Sequence, residues 1–318
     1  MKQYRFVFIL IAFYLGTGCM HSPRNPDYPG PMKPNALTLA PFEYEKKEIT
    51  ASMTPVIATD NYNVIQVDFK SKTGPGPDWA PFHADYYKLN KTERHPVILL
   101  LPILKGKEKV IESFARFFAQ NGYAAIVVQR QKSFKSLKTF EGVNTILHQA
   151  VINHKVVLDW LEKRPEIDNL NIGVLGLSMG GIKASLLSAV DKRIKAGVLV
   201  IAAGDVPWVL MHTRENGLIR KRKAHLEKFN LTPEQLFTAL KSDITFDPLY
   251  YAPYMNAEKT LMVLARFDRI APIAKGLELR TAIGDPETIF LPTGHFTAVL
   301  FKKYVMKKSL VFFNRQFY

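Results

Sequence analysis

Cysteine is almost absent from this chain: of 318 residues only Cys19 carries a thiol, so no intramolecular disulfide can form. Acidic side chains are also scarce, 28 against 43 lysines and arginines, which leaves a formal charge of +15. No second long apolar run follows the first residues, and that excludes a polytopic membrane protein. No helix-turn-helix, finger or RNA-binding signature accompanies the positive charge, so nucleic acid is discounted as a partner. The clusters Arg220-Lys221-Arg222-Lys223 and Lys307-Lys308 suit an anionic membrane surface, anionic substrates or plain solvated faces. No internal repeat is evident. What is present is ample core: apolar residues make up 47% and aromatics 12%, too rich for a disordered chain and enough for one large domain.

The first residues have the layout of an export signal. Lys2 and Arg5 precede the apolar run Phe6 to Leu15, which is too short to span a bilayer comfortably. The run ends at Leu15-Gly16-Thr17-Gly18-Cys19, which resembles the lipobox of bacterial lipoproteins, with Gly16 where that family usually has Leu. The resemblance implies lipidation of Cys19, an N-terminal lipid anchor in the membrane and a place in the cell envelope. Met20 rather than Asp after the cysteine implies travel to the outer membrane in a double-membraned host. Plain cleavage and secretion, giving a soluble exported or periplasmic protein, is the rival reading. Residues 20–41 carry Pro23, Pro26, Pro29, Pro31, Pro34 and Pro41, a composition expected to form an extended tether, with the folded domain running from 42 to 318.

Along the domain, strands at Val64–Phe69 and Ala84–Leu89 are expected to pair antiparallel around a turn at Thr73-Gly74-Pro75-Gly76-Pro77. Val97–Leu101 is a continuous apolar run, as a strand buried on both faces should be. A helical pattern over Lys107–Gln120, closed by Asn121-Gly122, leads to a strand at Ala124–Val128. A helix near Thr145–Lys163, a strand at Ile172–Leu175 and a helix from about Gly181 to Val190 follow. Strands at Ala196–Ile201, Thr260–Ala265 and Thr288–Leu291 and a helix over residues 297–313 complete the order. Such alternation predicts an α/β fold, a mostly parallel central sheet flanked by helices. The long interval Asp205–Lys259 contains the helix start Thr232-Pro233-Glu234-Gln235 and is expected to be a helical cap insertion. Its residues Trp208, Met211, Phe229, Phe237, Tyr250, Tyr251 and Tyr254 are candidates to line a pocket, with packing favoured for most.

Directly after the strand Ile172–Leu175 comes Gly176-Leu177-Ser178-Met179-Gly180. G-x-S-x-G in that position needs small flanking residues, because the serine occupies a tight strand-to-helix turn that lifts its hydroxyl out of the sheet. The helix that follows directs its first amides at the reacting centre, which makes the amide of Met179 a candidate oxyanion donor. A second donor is needed from the loop after Val97–Leu101. Pro102 has no amide hydrogen, so Ile103 or Leu104 must supply it, and the His-Gly-Gly-Gly form is absent. A serine hydroxyl also needs a base, and the base an orienting acid. Of eight histidines, His295 stands in Pro292-Thr293-Gly294-His295, the loop at the carboxyl end of the last strand. His83, His95, His148, His154, His212 and His225 read as structural, and His21 lies in the tether. Asp268 follows the strand Thr260–Ala265 and is the first choice of acid, with Asp205, after the preceding strand, as the alternative.

The order Ser178, Asp268, His295 on these elements resembles the α/β-hydrolase superfamily, particularly its dienelactone hydrolase and prolyl oligopeptidase-like esterase branches, over roughly residues 84–313. The resemblance implies a hydrolase without metal or cofactor. In it Ser178 attacks a carbonyl of a small-molecule ester, His295 shuttles the proton, and water releases the acyl-enzyme. Dienelactone hydrolases themselves use cysteine where this chain has Ser178, and oligopeptidases carry a large N-terminal propeller that does not fit in 83 residues. Carboxylic ester hydrolysis therefore leads, with peptidase or thioesterase activity and a noncatalytic envelope-binding lipoprotein on the same scaffold as alternatives. The oligomeric state is not legible.

Overall fold

The computed structural model describes residues 20–45, 49–70, 81–103, 109–129 and 137–318. The turn expected at residues 73–77 and the start of the helix after the strand Val97–Leu101 lie outside them. Among the described residues no helix is long and apolar enough to cross a membrane.

Among the described residues the expected alternation folds into one sheet of ten strands: β1 (Met20–Ser22), β2 (Ala51–Ala58), β3 (Tyr62–Phe69), β4 (Phe82–Leu89), β5 (His95–Leu101), β6 (Ala124–Val128), β7 (Ile167–Leu177), β8 (Ile194–Val200), β9 (Thr260–Ala265) and β10 (Glu287–Leu291). Their spatial order is β1-β10-β9-β8-β7-β5-β6-β4-β3-β2. The six strands from β6 across β5 to β10 run parallel; β4, β3 and β2 add antiparallel at one edge and β1 at the other. The antiparallel pairing of Val64–Phe69 with Ala84–Leu89 is as expected, in the register Val67 opposite Ala84.

Strand β5 shows why the sheet sits where it does. All seven of its residues are buried, and successive side chains feed opposite faces. Val97, Leu99 and Leu101 join a core with the helices Val143–Glu162 and Met179–Val190, whereas Ile98 and Leu100 join a second core with the helices Lys109–Gln120 and Lys302–Phe317. Gly173 of β7 permits a close approach on that second face. A Cβ there would stand 2.7 Å from Phe313, so the absence of a side chain lets the fully buried Phe313 ring reach the sheet.

Two expectations need correction. Residues 20–41 are not a free tether, and the fold does not begin at Phe42. Met20–Ser22 pairs with β10, Asn25 donates its amide to Asp285 O (2.9 Å), and Tyr28 Oη donates to Met255 O (2.9 Å) while its ring covers Gly284. Arg24 pairs with Glu258 at 2.6 Å. Prolines forbid long regular structure here, yet they leave single side chains free to dock, and long-range contacts supply the anchoring that local propensity lacks. The second correction concerns β2, which sequence patterning leaves unassigned because Pro55 interrupts it. The strand exists as a sheet edge whose register shifts between Pro55 and Ile57, the setting in which a strand tolerates proline.

Residues 205–259 hold the helices Val206–His212, Asn216–Phe229, Pro233–Asp243 and Pro248–Tyr251. Thr232 and Gln235 make the reciprocal capping box their spacing suggests. The basic run 220–223 is not one solvated face: Lys221 is buried, and Arg222 turns inward to donate to Leu210 O and Met211 O.

Buried histidines give the fold a pH signature. His154, on the helix Val143–Glu162, is buried, and desolvation, with a smaller contribution from the Lys183 charge, holds its pKa well below the ordinary 6.5. His95 and His225 are lowered as well, in both cases mainly by burial. Below the ordinary imidazole pKa the unfolded chain binds a proton that the native His154 refuses. Its contribution to stability is therefore complete above that pH and is lost as the pH falls through it toward the lower native value. Urea unfolding at a series of pH values from about 7 to 5 is expected to show a shallower loss of stability for His154→Leu than for wild type.

Candidate active site

The turn after β7 is forced by backbone contacts that admit no side chain. A Cβ on Gly176 would lie 2.1 Å from Gly180 O, and one on Gly180 would lie 2.0 Å from Leu101 O, at the end of β5. Between these glycines Ser178 has φ 53° and ψ −116°, a region a residue with a Cβ occupies only under strain. The strain is offset by fixed hydrogen bonds. Ser178 N donates to Val200 O at 2.8 Å, and Ser178 O accepts from Gly181 N (2.7 Å) and Ile182 N (3.1 Å). The result is a half-buried hydroxyl above the carboxyl end of the sheet, at the N-terminus of the helix Met179–Val190.

Two loops bring the partners to it. The loop after β9 and the loop after β10 are joined by Arg266 N to Leu291 O and Phe267 N to Thr293 O, each 3.0 Å. Thr297 Oγ1 accepts from Gly294 N (3.1 Å) and bonds Thr293 Oγ1, which fixes the backbone on either side of His295. His295 Nε2 then lies 2.9 Å from Ser178 Oγ, and His295 Nδ1 lies 2.7 Å from Asp268 Oδ2. The other carboxylate oxygen of Asp268 accepts the amides of Ile270 (2.8 Å) and Ala271 (2.9 Å). Only 9% of the His295 side chain and 3% of the Asp268 side chain are exposed, so water scarcely competes for these bonds. A carboxylate accepts and does not donate, so the imidazole carries its hydrogen on Nδ1 and turns the Nε2 lone pair to the serine.

Asp205, the alternative acid, is elsewhere. It has φ 52°, caps the helix Val206–His212 through Trp208 N (3.2 Å) and pairs with Lys275 at 2.8 Å. Position along the chain does not separate the two aspartates, since both follow parallel strands, but hydrogen bonding does. Asp268→Asn is expected to lower kcat/KM on the order of 10³-fold or more, by loss of the orienting acceptor, whereas Asp205→Asn should stay within about tenfold of wild type because asparagine also caps. Steady-state kinetics of the two variants on one ester checks both values.

Met179 is the first residue of its helix, where amides lack intrahelical acceptors. Met179 and Ile103 line one cavity of about 210 Å³ together with Ser178 and His295. Gly180 rests against Leu101 O and Pro102 O, so the end of β5 and the serine turn share one wall. Leu104 and Cys19 lie outside the described residues. The cavity walls are apolar apart from Ser178, His295, Glu215 and Lys302, with Phe114, Ile182, Val200, Ile201 and Leu291 among them. From the insertion come Val209, Glu215 and Leu218, none of which the sequence singles out. The aromatic candidates of the insertion do not line it: Tyr251 packs on Phe42, Trp208 stacks on His212, and Tyr250 is exposed. Of the histidines set aside as structural, His225 accepts the Phe140 amide (3.2 Å) and His148 bonds Pro41 O; His21, expected in a tether, pairs with Glu287.

Comparison with known proteins agrees with this architecture. Residues 83–204 match the model of the dienelactone hydrolase family, a span that includes Ser178. Two Escherichia coli proteins, each described as an uncharacterized 31.7 kDa protein in the traX-finO intergenic region, are 32% identical over 118 residues; the match spans 36% of this chain and 40% of the length of these relatives. Among solved structures, an acetyl xylan esterase from Paenibacillus sp. R4 superposes with a TM-score of 0.65 at 18% identity, covering 83% of this chain and 89% of that one. Acetyl xylan esterase 1 from Thermoanaerobacterium sp. JW/SL YS485 gives 0.64 at 16%, covering 86% and 91%. Est1E from Butyrivibrio proteoclasticus gives 0.53 at 16%, covering 73% and 95%. With its open, mostly parallel sheet flanked by helices, the chain has the α/β-hydrolase fold.

Proposed function

We propose that the protein is a serine hydrolase that cleaves carboxylic esters through an acyl-enzyme intermediate, exported and held at the cell envelope by a lipid on Cys19. The observation that carries the chemistry is the continuous line from Asp268 Oδ2 to His295 Nδ1 (2.7 Å) and from His295 Nε2 to Ser178 Oγ (2.9 Å), set on a strained turn in a largely apolar cavity. Ser178 Oγ attacks the ester carbonyl as its proton passes to His295 Nε2. The imidazolium so formed faces the buried Asp268 carboxylate, which is held in place by two amides. The amide of Met179, with that of Ile103 or Leu104, takes the developing oxyanion. His295 then gives its proton to the departing alcohol, and a water deprotonated by the same Nε2 releases the acid.

Support for an ester substrate comes from the structural neighbours, several of which are esterases, and from the cavity, whose apolar walls suit an acyl group better than a charged or polyhydroxylated one. Rapid mixing with a p-nitrophenyl acyl ester tests the reading. It is expected to give a burst of nitrophenolate equal to the enzyme concentration, with the acyl mass found on the peptide containing Ser178. Hydrolysis with no burst and no acylated peptide at any pH would remove the covalent intermediate from the proposal.

A further inference from the structure

The rim of the cavity is unusually apolar for a surface that meets water. Phe267, which precedes Asp268, is 64% exposed, and Phe296, which follows His295, is 70% exposed; Leu300, in the 3₁₀ turn Thr297–Phe301, is 79% exposed. The three lie on the two loops already joined by the Phe267 N to Thr293 O bond, so they belong to one region. Val299, 42% exposed, connects this region to the cavity, which it lines together with Phe296. Cationic side chains flank it: Arg266 and Arg269 around Phe267, and Lys302 and Lys303 immediately after the 3₁₀ turn. The carboxylate between the two arginines, Asp268, is buried on His295 and offers the rim no compensating charge. Clustered exposed aromatic and aliphatic side chains ringed by cations are what a surface needs to enter the headgroup layer of an anionic bilayer.

A second observation points the same way. β1 runs antiparallel to β10, with Met20 opposite Phe290 and Ser22 opposite Thr288. Read back toward the N-terminus, the chain therefore arrives at the carboxyl end of β10, the end from which the His295 loop departs. Met20 Sδ lies 3.2 Å from a guanidinium nitrogen of Arg266, the neighbour of Phe267. Met20 therefore stands beside the rim rather than behind the molecule, the side from which the N-terminal anchor proposed above would act.

We infer that this rim is a membrane-docking surface: Phe267, Phe296 and Leu300 enter an anionic lipid layer, and the cavity of Ser178 opens toward the bilayer. The inference rests on the Cys19 anchor for its tethering and on the rim for its orientation. It does not depend on turnover. An acyl ester partitioned into the membrane would then reach Ser178 without crossing bulk water.

The test places nitroxide labels at Leu300→Cys and, separately, Leu170→Cys in the full-length protein on vesicles of phosphatidylcholine with phosphatidylglycerol. Wild type, whose sole cysteine is Cys19, supplies the blank. Leu170 is equally exposed at 79% but lies toward the start of β7, about 26 Å along the strand from Ser178. On vesicle binding, collisions of the 300 label with a water-soluble nickel complex should fall severalfold while collisions with oxygen rise, and the 170 label should not change. Equal nickel access at both positions would overturn the inference. So would dipolar broadening at 300 without oxygen enrichment, since that would make a second copy of the chain the occupant. Ser178→Ala carried through the same measurement should behave as wild type, which separates a failure of docking from a failure of the hydrolase reading.

Discussion

Ser178→Ala is expected to lower kcat/KM for short acyl esters on the order of 10⁴- to 10⁶-fold while leaving the fold intact. The hydroxyl is the nucleophile aligned with His295 Nε2, and the residual rate would come from the oxyanion donors and binding alone. Stability should barely change. Alanine has the same Cβ and keeps the amide bond to Val200 O and the carbonyl bonds to Gly181 N and Ile182 N, so it inherits the strain at φ 53° but also the bonds that offset it. An unfolding free energy within about 1 kcal/mol of wild type together with the collapse in rate separates loss of a reacting atom from loss of structure. His295→Ala should cost nearly as much, and the double variant little more than either single one, because the two groups act as a unit.

Gly180→Ala should fail in a different manner. The new Cβ would be placed 2.0 Å from Leu101 O and 2.6 Å from Leu101 C, backbone atoms of a strand buried at every residue. Neither contact can be relieved by rotating a side chain, so β5 or the serine turn must move. We expect a stability loss of at least about 3 kcal/mol. In whatever fraction folds, kcat should be at least about 100-fold lower, since the turn carries both Ser178 and the Met179 amide. Gly197→Ala in β8 is the matched control. Its nearest neighbour is Ser188 Oγ at 3.2 Å, a side chain that can turn away, and less than about 1 kcal/mol should be lost. Urea unfolding and esterase kinetics on both variants read the two effects separately.

These contrasts explain which parts of the molecule sequence patterning reveals. Ser178, Asp268 and His295 were legible as candidates because each stands just past the end of a largely apolar strand, and a parallel sheet delivers the carboxyl ends of such strands to one edge. Gly176 was legible because the contact that requires it, with Gly180 O, is local, whereas the contact that requires Gly180 reaches across to Leu101 O on β5. The helix Ile273–Ile283 was not legible, since Gly276 breaks its pattern. That glycine serves packing, for a Cβ there would lie 2.8 Å from Leu264 Cδ2. The docking of residues 20–45 was hidden for the converse reason: Tyr28 on Gly284, Tyr44 on Asp159 and Lys155 on Phe42 O join positions a hundred or more residues apart, and no period in the sequence marks them. Val209, Glu215 and Leu218 reach the cavity by the fold of the insertion alone, whereas its aromatic residues, which drew attention by type, are used mainly for packing.

The central claim is that Ser178 is an activated nucleophile. The most direct measurement is reaction of the purified protein with a fluorophosphonate probe, followed by mass-spectrometric mapping of the modified residue. One adduct per chain on Ser178, absent from Ser178→Ala and strongly slowed in Asp268→Asn, is the predicted result. A folded protein left unmodified, or modified at a residue other than Ser178, would contradict the account and leave the hydrolase fold serving a binding role.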